Sequence, residues 1–179
     1  MQIFATNANP AECAHILDDA RVRKMLTETA QLLSTAARAL GLDDSVGDLY
    51  KSVNQGRALW TWAMQPDAFA WLCQHGLALE TELDRRELSV GKFIRTRDVL
   101  ANCRHISGLL GGDYTLATGF VNATRQQRDN VDFRYIADPH LAYRLYLTTR
   151  WEIQQRDPRV HLRPRWAFPA SPPGWALSN

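Results

Sequence analysis

Four polar side chains, Arg21, Lys24, Glu28 and Gln31, follow one another at spacings of three, four and three. On a helix that spacing stacks them along one face. A carboxylate flanked by two cations and an amide can bind a phosphate or an amino acid while Glu28 acts as general base. The same stripe also reads as a solvated face with an intrahelical ion pair, Lys24 preceding Glu28 in the weaker order for such a pair. A second group, Lys51, Asn54 and Arg57, lies in the run Tyr50-Lys51-Ser52-Val53-Asn54-Gln55-Gly56-Arg57 ahead of an aromatic segment. Free backbone amides at a helix start favour anions there, although Gly56 could serve only to shape a turn. Near the C-terminus Tyr143, Tyr146 and Arg150 share a stripe with Arg144 beside it, and Arg163, Arg165 and Trp166 follow. These tyrosines are either core or a platform on which a base stacks. The tail arginines either close over a ligand or snorkel beside a pinning tryptophan.

Other chemistries lack their motifs. His15, His75, His105, His140 and His161 are scattered without HExxH or His–carboxylate spacing, and no Walker loop, GxGxxG or GxSxG occurs. Cys13, Cys73 and Cys103 are odd in number and far apart, with no CxxC; they read as reduced, partly buried thiols. The expectation is therefore no metal and no cofactor.

The elements that must hold these residues are mostly helices. Residues 2–6 alternate enough for a short N-terminal strand, and Asn9-Pro10 then supplies a cap and a first helical position. Asp18-Asp19 can cap a long helix over residues 20–40, whose Val22, Met25, Leu26, Leu32, Leu33 and Ala36 make one broad apolar side, with Gly41 as its terminator. Residues 54–64 and 67–88 predict two helices parted by Pro66, with Trp60, Trp62, Phe69, Trp71 and Leu72 on their buried sides. Residues 89–106 predict another, capped by Ser89. Residues 107–138 read as a long irregular stretch, functional or mobile. Asp138-Pro139 opens a last helix to about residue 155. The proline-rich tail from about residue 158 cannot be helical, and Trp166, Phe168 and Trp175 should pin it. The reading is an all-α single domain spanning 1–179, with five or six helices and a minor N-terminal strand.

A chain of 179 residues fits one domain that buries roughly 70% of its unfolded surface. No apolar run approaches the ~20 residues of a membrane span. The N-terminus lacks the basic and apolar regions of a signal peptide, so a cytoplasmic protein without a membrane partner is expected. Net charge is only +2, yet 18 of the 21 basic residues are arginine, and from Arg125 onward nine arginines face five acids. Arginine matches phosphate in a planar fork and stacks on bases, which suits DNA or a phosphorylated ligand. A codon bias towards arginine on a solvated surface would leave the same composition.

The run Asp19-Ala20-Arg21-Val22-Arg23-Lys24-Met25-Leu26-Thr27-Glu28-Thr29-Ala30-Gln31-Leu32-Leu33 resembles the signature "DKHVVKM-x-LE-[ST]-AQ-LL" of a small helical phage protein family. The likeness continues through Tyr50-Lys51, the Trp60 segment, Phe69-x-Trp71-Leu72, Ala142-Tyr143-Arg144-x-Tyr146 and Arg165-Trp166, in order. Two departures stand out: Arg21 replaces the histidine of the first motif, and the "THKNHP"-like segment reads Val53-Asn54-Gln55-Gly56-Arg57-Ala58. That family is similar to phage enzymes that hypermodify thymidine in DNA by way of phosphorylated 5-hydroxymethyluracil. The resemblance implies transfer of an amino acid or amine onto that base with loss of phosphate or pyrophosphate. Glu28 would take the proton of the incoming ammonium, and Gln31 would orient it. Arg21, Lys24 and Arg57 would neutralise the leaving group, and the flipped base would stack on Trp60, Tyr143 or Tyr146. Two other readings stay open. One is a helical DNA glycosylase or pyrimidine-dimer repair enzyme with Lys24 as Schiff base; the other is a non-catalytic DNA-binding phage accessory protein.

Overall fold

A computed structural model of the chain describes residues 2–43, 46–53, 56–88, 92–127, 129–157, 163–167 and 169–176. Local capping chemistry sets most helix ends. Helix α1 (Pro10–His15) begins on its proline, with Asn9 Oδ1 accepting the Ala11 amide at 2.9 Å. Asp18 caps α2 (Asp19–Ala39) by accepting the Ala20 and Arg21 amides, each at 3.2 Å. Helix α2 ends in a Schellman pair, Leu42 N to Ala37 O at 3.0 Å and Gly41 N to Arg38 O at 3.1 Å. Gly41 takes the left-handed φ of 69° that this closure requires. Helix α6 (Pro139–Arg156) starts as anticipated, with Asp138 Oδ1 accepting the His140 amide at 2.9 Å.

The middle of the chain differs from the expectation in its boundaries. Helix α3 (Ala58–Ala63) begins later than residue 54 and is followed by α4 (Pro66–Arg85), which takes Pro66 into its own first turn instead of stopping before it. A proline there lacks only an amide that would have had no intrahelical partner. Helix α5 (Ile94–Leu110) runs through Ser107-Gly108 and stops at Gly111, whose φ is 68°; Ser89 lies outside the described residues. The stretch from 111 to 138 is not wholly irregular. It holds a short 3-10 turn (Tyr114–Leu116) and a hairpin, β1 (Arg125–Gln126) antiparallel to β2 (Val131–Asp132), with Arg125 facing Asp132 and Gln126 facing Val131.

Among the described residues the fold is thus mostly helical with one two-stranded sheet, and its minor strands lie in this hairpin. Residues 2–6, expected as a strand, pair with no ladder. Phe4 has φ 46° and Thr6 N bonds back to Phe4 O at 2.8 Å, so the segment turns where a strand would continue.

Helices α2 and α4 form the centre, with α1 and α5 packed on α4 and α5 also on α2. Among the described residues one hydrophobic cluster draws on helices α1 to α6 and on Ile3 and Phe4. The polar atoms of its large side chains are mostly partnered, as burial demands: Trp71 Nε1 donates to Ala8 O at 2.6 Å and Trp62 Nε1 to Thr118 O at 2.8 Å. Arg86, itself buried, ties the end of α4 to the α1–α2 corner. It donates to His15 O and Leu17 O, both at 2.7 Å, and pairs with Glu82 and Asp19. The tail lies over the same corner, where Arg165 O accepts from Asp19 N at 2.8 Å and Trp166 Nε1 donates to Ile16 O at 3.0 Å. Trp166 meets Trp151 edge-on at 5.2 Å and Trp175 stacks on it at 5.9 Å; Phe168 lies outside the described residues. Among those residues no helix is long and apolar enough to cross a membrane.

Candidate functional site

A cleft of about 690 Å³ opens between α2, the start of α3, the N-terminal segment and the hairpin. Its lining brings together Lys24 and Glu28 from α2, Arg57 from the N-cap of α3, Tyr146 from α6, Gln2 and Phe4, and Asn122, Arg125 and Arg134 from around the hairpin. Four cations face one carboxylate, so the cleft is electropositive. A side pocket of about 190 Å³ shares Gln2, Phe4, Lys24, Gln126 and Tyr146 with it and adds Asp18, Arg21, Arg150 and Gln154.

The N-terminal segment forms the floor, and it is held from both sides. Gln2 Nε2 donates to Ala123 O at 3.1 Å; His140 Nδ1 meets Ala5 O at 2.6 Å; Arg144 Nε donates to Thr6 O at 2.9 Å. The left-handed turn at Phe4 lays its ring on Tyr146, with centroids 6.1 Å apart and planes 30° apart. A non-glycine residue in that region costs roughly 1 kcal/mol or more, and the ring's burial against the two tyrosines offsets it. Burial pushes the Tyr146 phenol up, Gln2 and Arg21 act against that rise, and the Glu28 carboxylate adds to it. The phenol therefore lies within electrostatic reach of both Arg21 and Glu28.

Glu28 and Lys24 do form the intrahelical pair, with Nζ to Oε1 at 3.4 Å; the Glu28 side chain is 20% exposed and that of Lys24 is 69% exposed. The carboxylate is therefore sheltered and the ammonium is free to swing. Arg57 is exposed and forms no ion pair among the described residues. On the opposite wall Arg134 grips Asp132 through Nε at 2.8 Å and Nη2 at 2.6 Å, while Arg125 approaches the same carboxylate at 3.9 Å. These hydrogen bonds, chiefly from Arg134, hold the Asp132 carboxyl down at about 2. One carboxylate shared by two guanidiniums leaves a net positive wall.

The other anticipated residues fall elsewhere. Arg21 lines only the side pocket and acts as a clamp between helices: it pairs with the capping Asp18, donates to Gln154 Oε1 at 3.1 Å and lies 5.8 Å from the Trp151 ring centre. Gln31, one turn beyond Glu28, lines neither space. Lys51 is exposed and away from the cleft, because its loop is pinned to α2 by Tyr50 N to Ser34 Oγ at 3.1 Å and Val53 N to Thr35 Oγ1 at 3.0 Å. Asn54 lies outside the described residues. Tyr143 is no platform: it is 0% exposed, and its hydroxyl donates to Val121 O at 3.0 Å. Tyr146 lines the cleft but is only 5% exposed, with the Phe4 ring stacked on it. Trp60 is half-buried against the core and outside the lining; its Nε1 has no hydrogen-bond partner among the described residues. Arg144 spends its guanidinium on the Thr6 carbonyl, and Arg165 and Trp166 belong to the tail's seat on the α1–α2 corner.

The hairpin residues Arg125 and Arg134, with Asn122, went unrecognised as site residues in the sequence. Their only signal was the arginine excess that begins at Arg125. Among the described residues no group of three or more His, Cys, Asp or Glu is placed to hold a metal ion. The thiols are inert by burial: Cys13 is pushed up to about 11 and Cys103 to about 12, and Cys73 is raised further. Comparison with protein-family models, with curated proteins and with solved structures found no match to this chain.

Proposed function

We propose that the cleft binds a phosphate-bearing substrate and that Glu28 is its proton-transfer group. The observation that carries this reading is the sheltered Glu28 carboxylate in a cleft with Lys24, Arg57, Arg125 and Arg134. A phosphate entering between Arg57 and the hairpin wall would draw the exposed Lys24 ammonium towards itself. Glu28 would then be free to accept a proton. Preorganised cations at the leaving phosphate and a carboxylate at the nucleophile suit displacement chemistry.

The specific reaction rests on the sequence resemblance: transfer of an amino acid or amine onto phosphorylated 5-hydroxymethyluracil in DNA. The amine nitrogen forms a bond to the exocyclic methylene carbon. The carbon–oxygen bond breaks, and phosphate or pyrophosphate leaves with the electron pair. The proton shed by the ammonium goes to Glu28. Arg21 and Gln31 have no part in this version, since Arg21 is committed to Asp18 and Gln154 and Gln31 is outside the cleft.

The test incubates the full chain with phosphorylated hydroxymethyluracil DNA and a mixture of amino acids and amines, then reads nucleoside masses. A mass gain with the wild type, reduced about 10²- to 10⁴-fold in Glu28→Gln, supports the proposal. Equal product from Glu28→Gln refutes the proton-transfer role. A second reading draws on the exposed Lys24 amine in the same cleft: a repair lyase would be trapped covalently on damaged DNA by borohydride, and Lys24→Gln would not. Salt-sensitive DNA binding without turnover would leave the accessory role.

A further inference from the structure

The turn after β2 carries an exposed aromatic residue next in sequence to a cleft arginine. Ile136 N–H donates to Phe133 O at 3.1 Å, which makes Arg134 and Tyr135 the two corner residues. Asn122, a lining residue of the cleft, donates Nδ2 to both Phe133 O and Ile136 O at 3.0 Å. Both ends of the turn are therefore clamped by one side chain. Arg134 reaches the cleft lining, whereas the neighbouring Tyr135 is 80% exposed, with its ring centroid 6.4 Å from that of Phe133. A lone exposed tyrosine is ordinary. Tyr135 differs by its place, one residue from a cleft arginine on a braced turn, beside a wall whose charge suits phosphates.

We infer that the cleft takes a single-stranded nucleic acid, one base of which stacks on Tyr135 while the flanking phosphates lie on Arg134, Arg125 and Arg57. This rests on the phosphate-binding reading of the cleft and adds the polymer, its strandedness and the stacking residue. Stacking on a protein ring needs a base with a free face, which a paired and stacked duplex does not offer. Charge complementarity gives the backbone a track along the hairpin wall. The two tyrosines of α6 are unsuited to stacking: Tyr143 is sealed in the core, and Tyr146 is covered by Phe4.

The experiment measures binding of a fluorescent oligothymidylate, and of a duplex of equal length, to the full chain at low salt. Four proteins are compared: wild type, Tyr135→Ala, Tyr135→Phe and Arg57→Ala. Tyr135→Ala should weaken single-strand binding roughly 5- to 100-fold, with Tyr135→Phe close to wild type and the duplex bound more weakly than the single strand. Arg57→Ala should lower affinity and reduce the salt-dependence slope by about 0.7. If Arg57→Ala weakens binding and Tyr135→Ala does not, the stacking inference is overturned while the cleft reading stands. If Tyr135→Ala weakens binding and Arg57→Ala leaves both affinity and salt slope unchanged, the cleft reading fails and the inference goes with it. No binding of either nucleic acid by the wild type overturns the polymer assignment.

Discussion

Acidification should weaken this fold through one buried histidine. His75 sits on α4 with no solvent exposure, its ring stacked on Trp71 at 5.1 Å between centroids, and its Nδ1 is 3.1 Å from Pro10 O. That contact is a hydrogen bond only if Nδ1 carries the proton and donates to the carbonyl, which leaves Nε2 as the unprotonated nitrogen; it has no partner among the described residues. Charging the ring would place an unpaired donor and a cation in the core. Burial accordingly pushes the imidazole down from 6.5 to about 4, against the smaller contrary effect of the Pro10 carbonyl. Because the folded value lies below the unfolded one, the unfolded chain takes up a proton that the folded protein refuses between pH 6.5 and about 4. Stability is then full above that window and falls as pH falls through it. At 1.36 kcal/mol per pKa unit, the loss between pH 7 and 4.5 is about 2–3 kcal/mol.

Urea unfolding followed by tryptophan fluorescence at pH 7 and 4.5 measures it, comparing wild type with His75→Phe. Phenylalanine keeps the ring stacked but leaves the Pro10 carbonyl unpaired, a pH-independent cost of about 1–3 kcal/mol. The variant should therefore be weaker at pH 7 and lose about 2–3 kcal/mol less on acidification. At a slope of about 2 kcal/mol per molar urea, the difference is roughly a molar in midpoint. Glu82 does not blur the comparison. Burial would raise its carboxyl, but Arg85, His15 and Arg86 together hold it below its ordinary 4.5, so its contribution is lost only at lower pH, in both proteins. Parallel losses in wild type and variant would refute the argument that burial keeps His75 neutral.

Arg86→Leu should cost about 1–3 kcal/mol in urea unfolding, because it strands the carbonyls of His15 and Leu17 and leaves Glu82 to Arg85 and His15 alone; no measurable loss would remove Arg86 from the tie between α4 and the α1–α2 corner. Gly112→Ala should destabilise by about 1–3 kcal/mol, since the new methyl would collide with the Pro66 carbonyl at the start of α4; an unchanged melting temperature would contradict this close approach. Tyr143→Ala should lower stability by about 3–5 kcal/mol, as expected for a fully buried aromatic, and a variant that lost ligand binding at unchanged stability would return Tyr143 to the role of a platform.

What the sequence determined by itself is local. Asn9 with Pro10, Asp18, Gly41, and Asp138 with Pro139 fix the ends of α1, α2 and α6 because each satisfies or ends backbone hydrogen bonding within a few residues of itself. The 3.6-residue period likewise places Lys24 and Glu28 side by side. Periodicity states which side chains share a face, but not what comes to lie against that face. Tertiary structure decided that Arg21, at the start of the stripe, would turn to Trp151 and Gln154 on α6, and that Gln31 would fall beyond the cleft. It also decided that Tyr143 would seal the core while Tyr146, one turn on, reached the lining. Arg125 and Arg134 line one cleft with Glu28, about a hundred residues away in the chain, with the N-terminal segment docked between α6 and the hairpin. Contacts of that kind depend on three-dimensional closure of the whole chain, and no local spacing encodes them.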